Sequence, residues 1–248
     1  MLGFDTATLS TAVGLRMGDG STLQARDDPG PEGQPGHATR LLRMTSELLA
    51  QAGVAWSGLD RIAVGVGPGR FTGLRVGVAT ARGLAQSRSL ELVGVSSLRA
   101  LAEGARRRGV EGQGVLAVID ARRGEAFAAA FSASDREAAG ELAFPRALRP
   151  KDLEGVLAQA AERGGEPGVR WLAVGDGALR YRAHLEMAGA AVPADSSPLH
   201  AIDAGAICDL GARLPAATSL QEVLPDYRRA PDAEIARGRV AVLEGSQP

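Results

Sequence analysis

The sequence contains one short unit twice, and that repetition limits the folds open to it more than any other feature. Leu2-Gly3-Phe4-Asp5, a turn, and Val13-Gly14-Leu15 have a counterpart in Ala117-Val118-Ile119-Asp120, a turn, and Ala126-Phe127-Ala128. Each copy is an apolar strand ending in aspartate, followed by a strand coming back. Such a repeat points to an internal duplication, with two lobes opening on the same motif. After each opening, strands alternate with helical patterns, which predicts a mixed α/β sheet architecture.

Composition removes several classes of protein. Among 248 residues there are 28 basic and 29 acidic groups, a formal charge of −1, with 45% hydrophobic residues. A disordered chain needs lower hydrophobicity and higher net charge. A chain that grips nucleic acid by bulk charge needs a strong positive excess. Cys208 is the single cysteine, so no internal disulfide and no CxxC zinc pair can form. Met1–Asp5 runs straight into strand-like sequence without a leader pattern, and nowhere do 18 apolar residues follow one another. The expectation is a cytoplasmic protein with no membrane association.

Periodicity divides the chain further. Leu2–Phe4, Ala12–Arg16 and Thr22–Ala25 read as strands, with a hairpin turn at Met17-Gly18-Asp19-Gly20. Asp27–Gly36, dense in proline and glycine, reads as an exposed loop. From His37 to Ala52, the positions Ala38, Leu41, Leu42, Thr45, Leu48, Leu49 and Ala52 form one helical stripe, closed by Gly53. Burying its leucines is worth about 1.5–3 kcal/mol each, so this face must dock on something. Leu59–Val66 reads as a buried strand, followed by a helix capped by Thr72 and running to about Ser87. Glu91–Val95 is a strand, and Ser96 caps a helix to about Arg108. In the second half come strands at Val115–Asp120, Glu125–Phe131 and Trp171–Val174. Helices are expected near Lys151–Arg163, Ala178–Met187 and Ile202–Leu214, with a glycine-proline break at Gly164–Gly168. The expected division is residues 1–108 as an N-terminal lobe and 109–200 as a C-terminal lobe. Residues 201–224 carry a helix returning to the first lobe, and 225–248 form a tail.

The most distinctive stretch is Gly65-Val66-Gly67-Pro68-Gly69-Arg70-Phe71-Thr72-Gly73-Leu74-Arg75. A glycine-rich turn between strand and helix suits an anion at the helix N-terminus. It equally suits a sharp turn into a closely packed helix. It lacks the Gly-Lys-Ser/Thr of a P-loop and misses the GxGxxG spacing by one residue. Gly73, Gly77 and Ala81 recur every four residues, leaving a nearly bare helix face that a second helix could approach closely.

Catalytic constellations are missing. His37, His184 and His200 lie far apart, whereas a metal site needs three or four converging ligands. His37, at a helix start, reads as a cap or surface group, and Cys208 as a small buried apolar residue. No GxSxG elbow is present. Asp5 and Asp120, ending related strands, could face a cleft and hold a nucleotide-bound magnesium. They could equally be capping groups, and Asp5-Thr6-Ala7-Thr8 lacks the glycine that admits a phosphate. The runs Arg106-Arg107-Arg108, Arg122-Arg123 and Arg228-Arg229 read as solvated helix ends or turns.

Five blocks occur in an order that resembles a known family. They are Phe4-Asp5-Thr6-Ala7-Thr8, Ala63 to Arg75 around Gly67-Pro68-Gly69-Arg70-Phe71-Thr72-Gly73, Gly94-Val95-Ser96-Ser97-Leu98, Ile119-Asp120-Ala121-Arg122-Arg123-Gly124-Glu125, and Tyr227 to Glu234. Together they are similar to the bacterial TsaB family, also called YeaZ, a non-catalytic subunit of the machinery that makes threonylcarbamoyladenosine in tRNA.

The resemblance implies a two-lobed actin/Hsp70/sugar-kinase-like, ribonuclease H-like duplicated fold with mixed sheets. It implies an accessory role beside TsaD, which transfers threonylcarbamoyl to the adenosine next to the anticodon of tRNAs reading codons that begin with A. TsaD uses a metal held by a His-x-x-x-His pair; the matching helix here reads Ser97-Leu98-Arg99-Ala100-Leu101. Partners implied are TsaD, the ATPase TsaE, tRNA through the complex, and a second copy of the chain when it is alone. No cofactor is required by this chain, ATP belonging to the partners. The docking surface is expected on Leu41, Leu42, Thr45, Leu48 and Leu49 of one helix and Gly73, Val76, Gly77, Thr80 and Ala81 of the next. Asp5, Thr6 and Asp120 would be a vestigial nucleotide site. The alternative is an ATP-dependent phosphotransferase of the same fold using Asp5 and Asp120. A peptidase finds no nucleophile, base or metal site.

Overall fold

The computed structural model describes residues 1–29, 33–111, 113–132, 146–163 and 169–228. Among the described residues ten strands form two sheets of five. The first comprises β1 (Leu2–Asp5), β2 (Thr11–Arg16), β3 (Thr22–Asp27), β4 (Arg61–Gly67) and β5 (Glu91–Ser96), in the order β3-β2-β1-β4-β5. The second comprises β6 (Gln113–Arg122), β7 (Glu125–Phe131), β8 (Arg146–Leu148), β9 (Arg170–Val174) and β10 (Ala190–Ala191), in the order β10-β9-β6-β7-β8. In both, the opening strand pairs antiparallel with the next and parallel with the fourth. The sheets therefore repeat one topology, and the duplication expected from Asp5 and Asp120 is present. The chain is a two-lobed α/β protein of the ribonuclease H-like type.

Helices fill the layers outside and between the sheets: α1 (His37–Ala52), α2 (Phe71–Arg88), α3 (Ser97–Arg107), α4 (Glu154–Glu162), α5 (Asp176–Arg180), α6 (Arg182–Met187) and α7 (Ala204–Arg213). Side-chain alternation along the strands decides which layer is which. Leu2 and Phe4 of β1 pack with Leu41, Leu48 and Leu49 of α1 and Val78 of α2 in one core. Val115, Ala117 and Ile119 of β6 join Leu98 and Leu101 of α3 and Ile207 and Leu210 of α7 in a central core. Leu116 and Val118, on the opposite face of β6, pack with Leu153, Leu157 and Leu185 in a third. Five layers result, with α3 and α7 between the two sheets. The helix α7 lies on β1, β2 and β4 of the first sheet.

Several local expectations shift for identifiable reasons. Thr72 is not a helix cap. Arg70 takes the extended N-cap conformation, so the helix has begun by Phe71 and Thr72 sits exposed in its first turn. The expected helix Ala178–Met187 is two short helices broken at Tyr181, whose ψ of 25° leaves the helical range. Pro150 starts a 3-10 turn before α4, and Asp203 caps α7 two residues later than the apolar run suggests. The two-residue β10 and three-residue β8 carry too little sequence to show a period. Gly53 adopts the expected left-handed cap, with φ 65°. The break at 164–168 and the loop positions 30–32 lie outside the described residues, as does the tail beyond residue 228.

Candidate functional site

A cleft of about 590 Å³ opens between the two halves of the molecule. Four segments wall it: the N-terminal turn of α1, the N-terminal turn of α2, the β6–β7 hairpin around Asp120 and Arg122, and the chain near Tyr227. The glycine-rich stretch forms the approach, with a cis peptide at Gly67–Pro68 and the Arg70 amide donating to the Ala7 carbonyl at 2.7 Å.

Asp5, Thr6 and Asp120 do not assemble into one site. Asp5 is 1% exposed; its Oδ1 accepts from the Ala7 amide at 2.7 Å and its Oδ2 from the Ser97 hydroxyl at 2.5 Å. A Cβ at Gly65 would overlap its carboxylate, so this face is closed by backbone. Burial pushes the Asp5 carboxyl above its usual range, against the two hydrogen bonds. Thr6 is fully buried and donates from Oγ1 to the Gly73 carbonyl at 2.7 Å. Asp120 alone reaches the cleft. Its Oδ1 accepts from the Arg122 amide at 2.9 Å and its Oδ2 from Arg180 at 3.3 Å. Behind it the Asp120 amide donates to Asp176 at 3.0 Å, and burial lifts the Asp176 carboxyl to about 6. Asp5 thus lies buried with both carboxylate oxygens engaged, while Asp120 lines the cleft. Among the described residues no three His, Cys, Asp or Glu side chains converge as a metal site.

The residues expected to form a docking face divide sharply. Leu41, Thr45, Leu48 and Leu49 are at most 4% exposed, Leu41, Leu48 and Leu49 in the first core. Gly73, Gly77 and Ala81 are also buried. The bare stripe on α2 is there for this chain's own Thr6: a Cβ at Gly73 or Gly77 would overlap the Thr6 carbonyl or hydroxyl. These positions face inward because both helices cover the first sheet, and they offer nothing to a partner. Leu42 is 46% exposed, and Val76 and Thr80 are half-buried.

Other singled-out groups have structural partners, while His184 is exposed on α6. His200 lies within 3.2 Å of the Gly175 carbonyl and 3.3 Å of that of Pro193. Cys208 is buried on α7, and burial pushes its thiol up to about 12. Arg107 and Arg108 pair with Asp203, and Arg107 also with Asp209. Arg106 donates to the Ser132 carbonyl at 2.6 Å, so this run ties helices and sheets together. Arg228 pairs with Asp226, and Arg229 lies outside the described residues.

His37 departs from the sequence reading. It is 4% exposed, not a surface group, with Nδ1 at 2.8 Å from the Thr11 hydroxyl. Burial holds its pKa down, against a hydrogen bond with the Thr8 backbone that raises it and with a smaller lowering from Arg70. The cleft walls Arg70, Phe71 and Tyr227 meet only in three dimensions, so no sequence spacing groups them. Phe71 and Tyr227 stack with centroids 5.1 Å apart, and Arg75 lies 3.9 Å over the Phe71 ring. The Asp226 amide donates to the Val66 carbonyl at 2.7 Å, fixing the end of the described chain against β4.

Residues 32–166 match the family model described as TsaD: tRNA N6-adenosine threonylcarbamoyltransferase. The chain is 39% identical over 127 residues to the tRNA threonylcarbamoyladenosine biosynthesis protein TsaB of Escherichia coli K12, covering 51% of this chain and 52% of that protein. It is 41% identical over 91 residues to TsaB of Haemophilus influenzae, covering 37% and 38%. The matches thus span about half or less of the curated relatives' length. The solved structure of YeaZ from Pseudomonas aeruginosa superposes with a TM-score of 0.71 at 28% identity, covering 91% of this chain and 98% of that one. No helix among the described residues is long and apolar enough to cross a membrane. With the ordered motifs, the repeated sheet topology and these matches in agreement, the chain belongs to the TsaB (YeaZ) family.

Proposed function

We propose that this chain is a non-catalytic subunit of a tRNA threonylcarbamoylation complex. It acts with TsaD and the ATPase TsaE on the adenosine beside the anticodon of tRNAs reading codons that begin with A. One observation carries the reading. The helix that would present a His-x-x-x-His metal pair in the catalytic relative begins here with Ser97 and has Leu101 four residues on. Ser97 is fully buried and donates to Asp5, and Leu101 is 1% exposed in the central core. Neither side chain can supply a metal ligand, and both are committed to holding the fold. The chain itself then needs no cofactor, ATP being used by the partners.

The docking face belongs on the outward sides of α1 and α2, not on the buried stripe. Leu42, Ala79 and Gly83 are exposed there, with Val76 and Thr80 half-buried beside them. The same face would join two copies when TsaD is absent. The phosphotransferase alternative loses its support, because Asp5 is closed off by Gly65 and does not reach the cleft.

Gel filtration with TsaD tests the assignment. A Cβ at Gly83 meets nothing within 4 Å, so Gly83→Arg should fold normally. Loss of the complex by Gly83→Arg and Leu42→Asp is the expected result. An intact complex with both variants would refute the docking face.

A further inference from the structure

We infer that the tip of the β6–β7 hairpin, residues 120–125, is a flap on the cleft, shut while the Asp176 carboxyl is protonated and lifting as it ionises. The flap belongs to the second lobe alone and involves no partner, so it stands apart from the subunit reading.

The tip is held on few sides. Strand β6 runs parallel to β9 only as far as Ala117, opposite Val174, while its pairing with β7 continues to Arg122 and Glu125. The hairpin therefore projects past β9, and Asp120, Ala121 and Arg122 stand in the cleft wall. Its turn is strained. Arg122, Arg123 and Gly124 follow one another with φ of 65°, 53° and 77°, a left-handed run that only glycine adopts without steric cost. The ladder is also irregular between Asp120 and Arg122. Strain of this kind persists only where surrounding contacts hold it.

The holding contacts come from residues 176–181. The Asp120 amide donates to the Asp176 carboxylate at 3.0 Å, and Arg180 donates to the Asp120 carboxylate at 3.3 Å. The Tyr181 hydroxyl donates to the Glu125 carbonyl at 3.1 Å. Gly177 lets α5 lie this close, since a Cβ there would overlap the Ile119 backbone.

Asp176 sets the strength of that hold. From β6 it faces the Asp120 carboxylate, which opposes its ionisation, and Arg122, which favours it. The Asp120 and Gly177 amides also support the charged form. From α2, across the cleft, Arg70 is attracted to both carboxylates. On α5, Arg180 is taken up by Asp120, and on α6 Arg182 pairs with Glu186 and Asp195. His200, on the turn packed against α5, lies 3.2 Å from the Gly175 carbonyl. Burial outweighs the favourable contacts and lifts the carboxyl from 3.8 to about 6. Lifting the tip carries the Asp120 charge away and lets water reach Asp176. The lifted state then binds fewer protons between those two values, so the shut state loses ground from about pH 4 to about pH 6 and the balance is level above. Over that range the opening constant rises by at most about a hundredfold.

Native-state hydrogen exchange of the full chain, read by NMR between about pH 4 and about pH 7 with intrinsic rates divided out, tests the flap. The Asp120 and Arg122 amides should be less protected than that of Leu116, where β6 is paired on both sides. Their protection should fall by up to about a hundredfold as pH rises to about 6 and then level off. Asp176→Asn should remove the fall. Gly124→Ala places a Cβ in open space but strains the turn further, so it should lower tip protection at every pH and keep the slope. This second variant tests the turn even if Asp176→Asn does not fold. Tip amides as protected as Leu116, protection independent of pH, an undiminished fall in Asp176→Asn, or unchanged protection in Gly124→Ala would each overturn the flap.

Discussion

The Thr6 hydroxyl donates to the Gly73 carbonyl at 2.7 Å, locking the loop after the first strand onto the first turn of α2. The contact exists only because Gly73 and Gly77 have no side chains. Adding one methyl at Gly77 would overlap the Thr6 hydroxyl. Overpacking of this kind typically costs about 1–3 kcal/mol. We expect Gly77→Ala to lower the urea midpoint accordingly. Gly83→Ala, in the same helix but facing open space, should raise stability by roughly 0.5–1 kcal/mol. Equal effects at both positions would contradict the packing described for α2.

Asp5 should behave as a structural carboxyl. Asp5→Asn keeps an acceptor for the Ala7 amide and removes a buried carboxyl whose ionisation is disfavoured. Its thermal midpoint at pH 7 should be near that of the parent or above it. Asp5→Ala strips partners from both Ala7 and Ser97, and should cost about 1–3 kcal/mol. Neither variant should change binding of magnesium nucleotide in calorimetry.

Acid pH should stabilise the protein through Asp176. Its carboxyl is raised from 3.8 to about 6 by burial, so between these values the unfolded chain binds fewer protons than the folded one. Stability then falls as pH rises from about 4 to about 6 and levels off above. Asp5, also raised by burial, acts in the same direction. Denaturant titrations should show this fall, and Asp176→Asn should flatten it.

Cys208 should report global opening. Its thiol is buried and pushed up to about 12, so almost no thiolate exists at neutral pH. Native protein should resist a maleimide, and labelling should appear along the urea unfolding curve. Rapid labelling without denaturant would mean that α7 is not held between the sheets.

The fold was largely legible because its signals are local and periodic. The stripe from Ala38 to Ala52, closed by Gly53, gives α1 its bounds, and the paired Asp5 and Asp120 strands reveal the duplication. Periodicity reports that a face is buried but not against what. Leu41, Leu48 and Leu49 therefore read as a face awaiting a partner, although α1 lays them on β2 and β3 with α2 beside them. The Gly73–Gly77 stripe shows the same ambiguity, since a bare helix face fits a neighbouring loop as well as a neighbouring helix. His37 at a helix start looked like a surface group; its burial depends on Thr11, 26 positions earlier. The cleft was illegible because its walls come from residues near 37, 70, 120 and 227, which no sequence spacing connects.

We propose that this chain supports turnover by a sister enzyme without performing it. The decisive measurement is threonylcarbamoylation reconstituted from purified TsaD, TsaE and this chain, with each omitted in turn. Modified adenosine is expected only when TsaD is present, with a large loss when this chain is left out. Modified adenosine formed by this chain without TsaD, or full activity without this chain, would contradict it.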